Sequence, residues 1–457
     1  MSIRSKLAQL KAYREGVKHC TFDPEGPGVV RIHLVPPKFS LFKNNSSVLI
    51  LNGYYILPLG YSWSVLLSAF LDNVNAYCGK ELSAEDVEGI YEATVVDASK
   101  VFPADKDILR DDLSRILDVI FDISEGKDRE EIEQLSIRAY ASRMSAPHRM
   151  DLSVSSMANV DGSWRCNQKC VFCYAANQAL ACKEELTTQQ WKDILDKLRQ
   201  IGVPMVTFTG GEPTQRPDLC ELVDHAKWFI TRVNTNGSLL TEELVQGLKK
   251  ASLDSIQVTL YSHDAEIHNK LVGVQKHCDT VNGIALAVKA GLDVSVNTPL
   301  CALNRDYLKT LELIKGLGVR YATVSGLILT GNADRAATGN ELCESELRKI
   351  ISQAHEFCKN NGMELDFTSP GLVSGEFLSS LGMRAPICGA ALSNMAIGSD
   401  GTVVPCQSWL SSDADLGNIL TTPWKKIWNS ALSKKLRNMK EDTAMNCPFR
   451  CGKGARI

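Results

Sequence analysis

Between residues 150 and 345 the sequence alternates short strand-like runs with helical stretches, and this alternation restricts the fold more than any other feature. The runs are rich in Val, Thr and Ile. Glycines such as Gly202, Gly291 and Gly318 stand where the helical stretches end, as glycines commonly do. The interval from strand to strand is about 30 residues, the length of a βα unit in a parallel sheet.

About six βα units fit this region, fewer than the eight of a closed barrel. The sequence therefore predicts an α/β fold built on an open, partial (β/α)6 TIM-like barrel. The predicted strands are residues 152–156, 205–209, 232–235, 255–261, 293–298 and 321–325. The predicted helices are residues 188–200, 218–229, 242–250, 281–290 and 307–317.

Residues 1–140 are predicted to form a separate α+β domain, and residues 346–457 a third region after the barrel. The N-terminal domain has strand patterns at 29–34, 48–51 and 54–57, followed by three helices. Residues 44–71 lack charge, but Asn52-Gly53 predicts a hairpin turn inside this stretch. The uncharged stretch is therefore interpreted as a buried hairpin and a helix, not as a membrane anchor.

Net charge and cysteine content narrow the class of protein. The net charge of -3 gives no basic footprint for nucleic acid or an anionic membrane. The N-terminus lacks the apolar run of a secretory signal, so a cytoplasmic location is expected. With 15 cysteines and no such signal, metal or redox chemistry is favoured over disulfides.

Three cysteines, Cys166, Cys170 and Cys173, follow the first predicted strand with C-x3-C-x2-C spacing, and Tyr174 comes directly after them. Thiolates are the usual ligands of [4Fe–4S] clusters, and such short spacing lets one loop contact several irons. Three ligands leave one iron free to bind another molecule. Structural zinc, in contrast, requires a closed set of four ligands.

Two further motifs follow at the ends of the next two predicted strands, where a barrel of parallel strands places its active site. The first is the segment Gly210, Gly211, Glu212 and Pro213, and the second is a Thr-Asn-Gly turn that contains Asn236. Glycines allow a ligand to approach the backbone closely, and a carboxylate can pair with an ammonium group. Taken singly, these glycines could also belong to ordinary βα turns.

The three motifs, in this order, resemble the signature of the radical S-adenosylmethionine (SAM) superfamily. The resemblance implies a cluster held by Cys166, Cys170 and Cys173 whose open iron chelates SAM, and reductive cleavage of SAM to a 5′-deoxyadenosyl radical. It places Glu212 near the amino group of SAM and Asn236 near its ribose. Thr259, at the end of the fourth strand, and Leu327, after the sixth, are expected near the ribose and the adenine.

Cys388 and Cys406 belong to a C-x12-G-x4-C pattern that resembles the opening of SPASM and twitch domains, which bind auxiliary iron–sulfur clusters. Asp400-Gly401 predicts a hairpin turn that brings these two cysteines together. Cys447 and Cys451 complete four ligands, enough for one auxiliary [4Fe–4S] cluster, so the twitch form is the closer match. Four thiolates could equally hold zinc.

Other cysteines and histidines show no ligand spacing. The cysteines are expected to be small buried hydrophobic residues, and His263 and His268 are expected to be structural. These cysteines are Cys182, Cys220, Cys278, Cys301, Cys343 and Cys358.

The order of strands and helices in residues 1–140 resembles the small winged-helix domains that hold leader peptides in peptide-modifying enzymes. A cap or a dimerisation domain is the alternative. Together, the resemblances to radical SAM, SPASM and leader-binding domains imply an oxygen-sensitive oxidoreductase that takes its electron from a flavodoxin or ferredoxin. They imply that it crosslinks or otherwise modifies a ribosomally synthesised peptide. Two rivals stay open: small-molecule or cofactor biosynthesis, as in relatives that build molybdopterin, haem variants or aminoglycosides, and a non-catalytic iron–sulfur or zinc protein.

Overall fold

A computed structural model describes residues 17–22, 30–36, 47–53, 55–77, 80–124, 127, 134–141, 144–336, 339–439, 447 and 449. The chain divides into two units. The N-terminal unit comprises Met1–Ala146 and Lys197–Pro204, and the core unit comprises Pro147–Asp196 and Met205–Ile457.

The N-terminal unit contains a four-stranded antiparallel sheet whose strands are arranged in chain order. The strands are β1 (Lys18–Phe22), β2 (Val30–Val35), β3 (Val48–Leu51) and β4 (Tyr55–Pro58). The helices that follow are α1 (Tyr61–Asn75), α2 (Ala84–Val101), α3 (Lys106–Ser124) and the short α4 (Ile137–Ala141). Sequence analysis missed β1 and α4. The sequence of β1, Lys-His-Cys-Thr-Phe, has no apolar alternation to mark it as a strand.

The predicted hairpin between β3 and β4 is confirmed. Asn52 and Gly53 both adopt left-handed backbone conformations, with φ of 50° and 69°. Leu51 pairs with Tyr55, so the connecting loop has three residues instead of two. Among the described helices, none is both long and apolar enough to cross a membrane.

All six predicted strands of the core unit are present, and neighbouring strands pair in parallel in chain order. They are β5 (Arg149–Ser155), β6 (Met205–Gly210), β7 (Ile230–Thr235), β8 (Ser255–Thr259), β9 (Asp293–Pro299) and β10 (Tyr321–Ser325). The carboxyl ends of all six strands therefore meet at one edge of the sheet, where the predicted motifs begin.

The sheet extends beyond these six strands on both sides. At one edge, β11 (Glu364–Phe367) pairs in parallel with β10. At the other, β12 (Asn394–Ile397) pairs in parallel with β5, and β13 (Val403–Val404) returns antiparallel to β12. The sequence predicted the hairpin of β12 and β13, but not the pairing of β11 with β10 or of β12 with β5, because strands of four residues carry too little periodicity.

The five predicted helices of the core unit are present, and six further helices within the described residues were not predicted. Sequence analysis missed α8, which begins after Asp264; the Asp264 side chain accepts hydrogen bonds from Glu266 N and Ile267 N. The helices are α5 (Thr188–Ile201), α6 (Leu219–His225), α7 (Glu242–Lys250), α8 (Ala265–Val272), α9 (His277–Lys289), α10 (Tyr307–Gly316), α11 (Ala333–Ala336), α12 (Glu344–Asn360), α13 (Gly375–Ser380), α14 (Trp424–Trp428) and α15 (Ala431–Arg437).

Candidate active site

The three sequence motifs lie side by side at the carboxyl edge of the core sheet. The loop with Cys166, Cys170 and Cys173 follows β5, Gly210 ends β6, and Asn236 follows β7. The Cys166 sulfur lies 3.2 Å from the carbonyl oxygen of Gly211, so the first two motifs are in contact. The sheet topology thus gathers residues that are far apart in the sequence.

One side of the cysteine loop is fastened to the end of α8. Lys169 N donates to Val272 O at 2.9 Å, and Val171 N donates to Leu271 O at 2.9 Å. Gly273 ends this helix with φ of 71°, and a Cβ at this position would lie 2.5 Å from Lys169 O. A larger residue at 273 would therefore push the cysteine loop away.

The other side of the loop is held by the segment after β10. Asn332 donates twice, from its backbone N to Cys173 O at 2.9 Å and from Nδ2 to Cys170 O at 3.2 Å. A Cβ on Gly331 would lie 2.5 Å from Tyr174 O. Sequence analysis missed both residues. The only available signal was a Gly-Asn pair after the sixth strand.

Burial raises the pKa values of the three thiols. The pKa of Cys166 rises to about 12, that of Cys170 rises well above its ordinary value, and that of Cys173 is raised as well. A cationic iron cluster would displace these protons and compensate the buried thiolates, because metal binding requires deprotonated cysteine. The chemistry of this donor set fits an iron–sulfur cluster.

Within the described residues, no three His, Cys, Asp or Glu side chains converge closely enough to hold one metal ion. A cluster spreads its thiolates over several irons, so it does not need such convergence.

Glu212 is buried, and its carboxylate joins the ends of β6 and β7. Its Oε1 accepts from Thr235 Oγ1 at 2.6 Å and from the N and Oγ1 of Thr214 at 3.1 and 2.6 Å. Its Oε2 accepts from Asn236 N at 2.8 Å. Burial raises the pKa of Glu212, and these hydrogen bonds oppose the rise. Each carboxylate oxygen has two lone pairs, so Oε2 retains one acceptor site.

The two glycines before Glu212 allow β6 to end against β5. Gly210 has φ of 129°, and a Cβ there would lie 2.2 Å from Ser155 O. A Cβ on Gly211 would lie 2.6 Å from Ser156 O. Pro213 is buried and begins a short 3-10 turn. The close approach of these backbones excludes any side chain at either glycine.

Asn236 links its turn to the cysteine loop. Its Nδ2 donates to Asn167 Oδ1 at 2.7 Å, and Asn167 Nδ2 donates to Ser238 Oγ at 3.0 Å. Asn167, inside the cysteine motif, was another residue that sequence analysis missed. Thr259 stands half-buried at the end of β8, beside Asn297 of β9.

Leu327 and Tyr174 belong to two apolar clusters that pack around the cysteine loop. Leu327 lies with Phe172, Tyr261 and partly buried Cys170. Tyr174 lies with Cys166, Cys173 and residues of the C-terminal region, including Trp409.

A second group of cysteines lies in the C-terminal region. Gly401, with φ of 88°, occupies the predicted turn, and the hairpin of β12 and β13 is confirmed. Burial raises the pKa of Cys406 to about 12, and the proximity of Cys388 and Cys447 contributes. These three thiols are therefore neighbours. Cys451 lies outside the described residues.

The remaining cysteines only partly match the expectation of burial. Cys301 and Cys358 are fully buried, whereas Cys182 and Cys220 are partly buried. Cys278 and Cys343 are exposed, so the prediction was wrong for these two. They lie at or near the starts of helices α9 and α12, where the first turn faces solvent. His268 is buried, and its Nδ1 accepts from Tyr261 N at 3.3 Å, in keeping with a structural role.

Comparison with known proteins agrees with this geometry. The family profile of the radical SAM superfamily matches residues 163–314, and that of SPASM, an iron–sulfur cluster-binding domain, matches residues 388–452. An AdoMet-dependent heme synthase of Methanosarcina barkeri is 30% identical over 295 residues, which are 60% of this chain and 83% of that protein. The chain belongs to the radical SAM superfamily.

Solved structures show the same fold. The crystal structure of Streptococcus suis SuiB bound to the precursor peptide SuiA has a TM-score of 0.60 at 14% identity, covering 88% of this chain and 92% of SuiB. AdoMet-bound anSMEcpe has a TM-score of 0.50 at 16% identity, covering 66% of this chain and 84% of that protein. This radical SAM enzyme therefore uses a [4Fe–4S] cluster with SAM and an auxiliary iron–sulfur cluster. The SPASM match favours iron–sulfur over zinc in the C-terminal region.

Proposed function

We propose that this radical SAM enzyme modifies a ribosomally synthesised peptide, and that Cys166, Cys170 and Cys173 hold its SAM-binding cluster. The assignment of the three cluster ligands rests on the hydrogen bonds that hold the cysteine loop in place. Three partly buried thiols stand at the carboxyl edge of a parallel sheet, on a backbone held by α8 on one side and by Asn332 on the other. A preformed loop of this kind fixes the directions in which the ligands point.

When bound, the cluster and SAM supply a 5′-deoxyadenosyl radical that abstracts hydrogen from the substrate. The residues of the chain bind and orient SAM. The free acceptor site of Glu212 Oε2 receives the SAM ammonium, while Gly210, Gly211 and Pro213 let the methionine part approach the backbone. The other contacts are assigned by position: Asn236 and Thr259 to the ribose, and Tyr174 and Leu327 to the adenine side of the site.

Cys388, Cys406, Cys447 and Cys451 are proposed to hold the auxiliary cluster. Four thiolates close the cluster and prevent direct binding of substrate, so its role is electron transfer or structural support. Accepting an electron from a substrate radical suits an oxidative crosslink. A flavodoxin or ferredoxin provides the first electron. The enzyme is oxygen-sensitive, because such iron–sulfur clusters react with oxygen.

The peptide substrate is supported by the N-terminal unit. The M. barkeri relative aligns with 60% of the chain, whereas peptide-bound SuiB aligns with 88%. Residues 1–140 are proposed as a leader-recognition domain, followed by the radical SAM core at 150–345 and the auxiliary-cluster domain at 346–457. A strand edge of the N-terminal sheet can pair with an extended peptide.

The first test is 5′-deoxyadenosine formation by anaerobically reconstituted protein with SAM and dithionite. Wild type and Cys278→Ala, which loses an exposed thiol, should both form it, whereas Cys170→Ala should not. Equal formation by Cys170→Ala would refute the ligand assignment. The substrate is tested separately with short peptides encoded beside the gene, by mass spectrometry. No mass change in any of them would refute the peptide assignment.

A haem precursor is the second candidate substrate, because two relatives, from M. barkeri and Oleidesulfovibrio alaskensis, are AdoMet-dependent heme synthases at 30% and 26% identity. The same assay with a porphyrin carboxylate in place of the peptide distinguishes the two. If 5′-deoxyadenosine formation depended on the porphyrin and not on any peptide, the proposed substrate would be a tetrapyrrole instead of a peptide.

A further inference from the structure

Residues 155–157, which we call the connecting segment, begin at the last residue of β5 and contact both loops of the proposed SAM site. The first residue of the segment holds the glycine motif. Ser155 O accepts from Gly211 N at 3.0 Å, and Ser155 Oγ accepts from Glu212 N at 3.0 Å. Ser155 is buried, so water does not compete for these hydrogen bonds. The backbone that carries the Glu212 carboxylate is therefore fixed to this segment.

The last residue of the connecting segment holds the cysteine loop. Met157 O accepts from Arg165 N at 3.0 Å and from Cys166 N at 3.3 Å. The backbone of the first cluster ligand and the backbone of Glu212 are thus both hydrogen-bonded to one short stretch of chain. The conformation of the connecting segment therefore sets how far Cys166 lies from Glu212.

The middle residue of the connecting segment is held by the carboxylate of Glu185, which follows the cysteine loop in the chain. Glu185 Oε1 accepts from Ser156 N at 2.8 Å. Ser156 is buried, so its N–H would lack a partner without this carboxylate. A charged acceptor also makes a stronger hydrogen bond than a neutral one. Glu185 therefore fixes the centre of the segment whose two ends hold the two loops.

Two arginines hold the Glu185 carboxylate in place. Its Oε2 lies 2.9 Å from Arg165 Nη2 and 3.6 Å from Arg216 Nη1. Arg216 is fixed in turn: Nε and Nη2 donate to the two carboxylate oxygens of Asp218 at 2.9 and 2.7 Å, and Nη1 donates to Val154 O at 3.0 Å. Only 13% of the Glu185 side chain is exposed, and the two guanidinium groups compensate its charge.

We propose that Glu185 is a positioning residue for SAM, which acts through Ser156 on the spacing between Cys166 and Glu212. The proposed site holds SAM at two points, the open iron of the cluster and the Glu212 carboxylate. Its affinity for SAM therefore depends on how precisely these two points are held relative to each other. The proposal rests on the proposed function, which assigns the cluster to the cysteine loop and the SAM ammonium to Glu212.

The affinity for SAM tests this role without radical chemistry. Equilibrium dialysis measures the Kd of SAM for anaerobic, reconstituted full-length enzyme. Glu185→Ala should raise this Kd about tenfold, the effect of about one charge-assisted hydrogen bond. Glu185→Gln should raise it only about threefold, because its amide oxygen still accepts from Ser156 N. Glu184→Ala removes the exposed acidic neighbour and should leave the Kd unchanged.

Two further measurements distinguish positioning from a general loss of stability. In Glu185→Gln, 5′-deoxyadenosine formation at saturating SAM should stay within about twofold of wild type while the KM for SAM rises, because the lost interaction acts on binding. Hydrogen exchange of residues 155–166 should be faster in Glu185→Ala than in wild type and unchanged in Glu184→Ala. This exchange reports on the connecting segment itself and does not depend on turnover.

Circular dichroism and iron content check that each variant folds and carries its clusters, and Glu185→Gln carries the test if Glu185→Ala does not fold. An unchanged Kd in the folded variants, an equal rise in Glu184→Ala, or lost turnover at saturating SAM with an unchanged Kd would overturn the positioning role. Wild-type protein that binds no SAM would overturn the proposed function itself. The expected ratios of Kd without modification of any peptide would overturn only the proposed substrate.

Discussion

The two cysteine groups of the core unit are built in opposite ways. Cys166, Cys170 and Cys173 sit on one short loop whose backbone is hydrogen-bonded to α8 and to Asn332. Cys388, Cys406 and Cys447 come from separate segments and are brought together by the β12–β13 hairpin and its flanking chain. The first group is therefore set by local spacing and a rigid support, and the second by tertiary packing. Loss of one thiol should accordingly have different consequences in the two groups.

The largest effect is expected from Cys173→Ala in the first group. Removing one of three ligands should lower 5′-deoxyadenosine formation more than about 100-fold, since no SAM cleavage occurs without the cluster. The measurement is product formation by chromatography, together with electron paramagnetic resonance of the reduced protein. Cys343→Ala removes an exposed thiol and serves as the control. A variant that keeps both the product and the SAM-dependent signal would contradict the assignment.

Cys406→Ala should separate the second group from the first. It should retain SAM cleavage within about threefold of wild type, because the backbone hydrogen bonds that hold the first loop run to α8 and to Asn332, but lose most modification of the substrate peptide. The measurement compares 5′-deoxyadenosine with modified peptide in one reaction. If 5′-deoxyadenosine and modified peptide both fell to background, the second cysteine group would be required for the integrity of the first. The claim that the first group is held without the second would then be wrong.

Asn332→Ala tests the support of the first loop. It removes the Nδ2 bond to Cys170 O but keeps the backbone bond to Cys173 O. Loss of one such hydrogen bond costs about 1 kcal/mol, so SAM cleavage should fall about five- to tenfold, with little change in iron content. Asn360→Ala, at an exposed asparagine at the end of α12, is the matched control. Activity equal to that of wild type would show that the loop does not need this support.

The same contrast explains what the sequence could predict. The six strands of the barrel and the three motifs at their ends depend on local pattern, and the structure places them as expected. Asn332 and Gly331 were missed, because their contacts with the cysteine loop arise only when the segment after β10 is brought beside it, and Asn167 of that loop was missed because its partner Asn236 follows β7. No local pattern marks a residue whose function is to bond a loop more than a hundred positions away.

Strand β11 and the pairing of β12 with β5 were missed for a related reason. Both strands are short, and each is stabilised by pairing with an edge of the sheet formed by residues far away in sequence. Tertiary pairing overrides weak local preference in such strands.

The smallest effect on activity at neutral pH is expected at His268, which supports the first loop and whose contribution appears as a loss of stability at lower pH. His268 lies in α8, and burial lowers its pKa to about 4 from an ordinary 6.5. Between these values the unfolded state binds the extra proton and the folded state does not, so stability should fall as pH drops from 6.5 toward 4, by up to about 2 kcal/mol at pH 5.

His268→Asn, which keeps an acceptor for Tyr261 N, should flatten this dependence. Denaturant unfolding at pH 7 and pH 5, with hydrogen exchange read at residues 169–171, measures it. If wild type and variant lost the same stability on acidification, the acid sensitivity would arise outside α8. Acid would then not act selectively on the support of the first cysteine group.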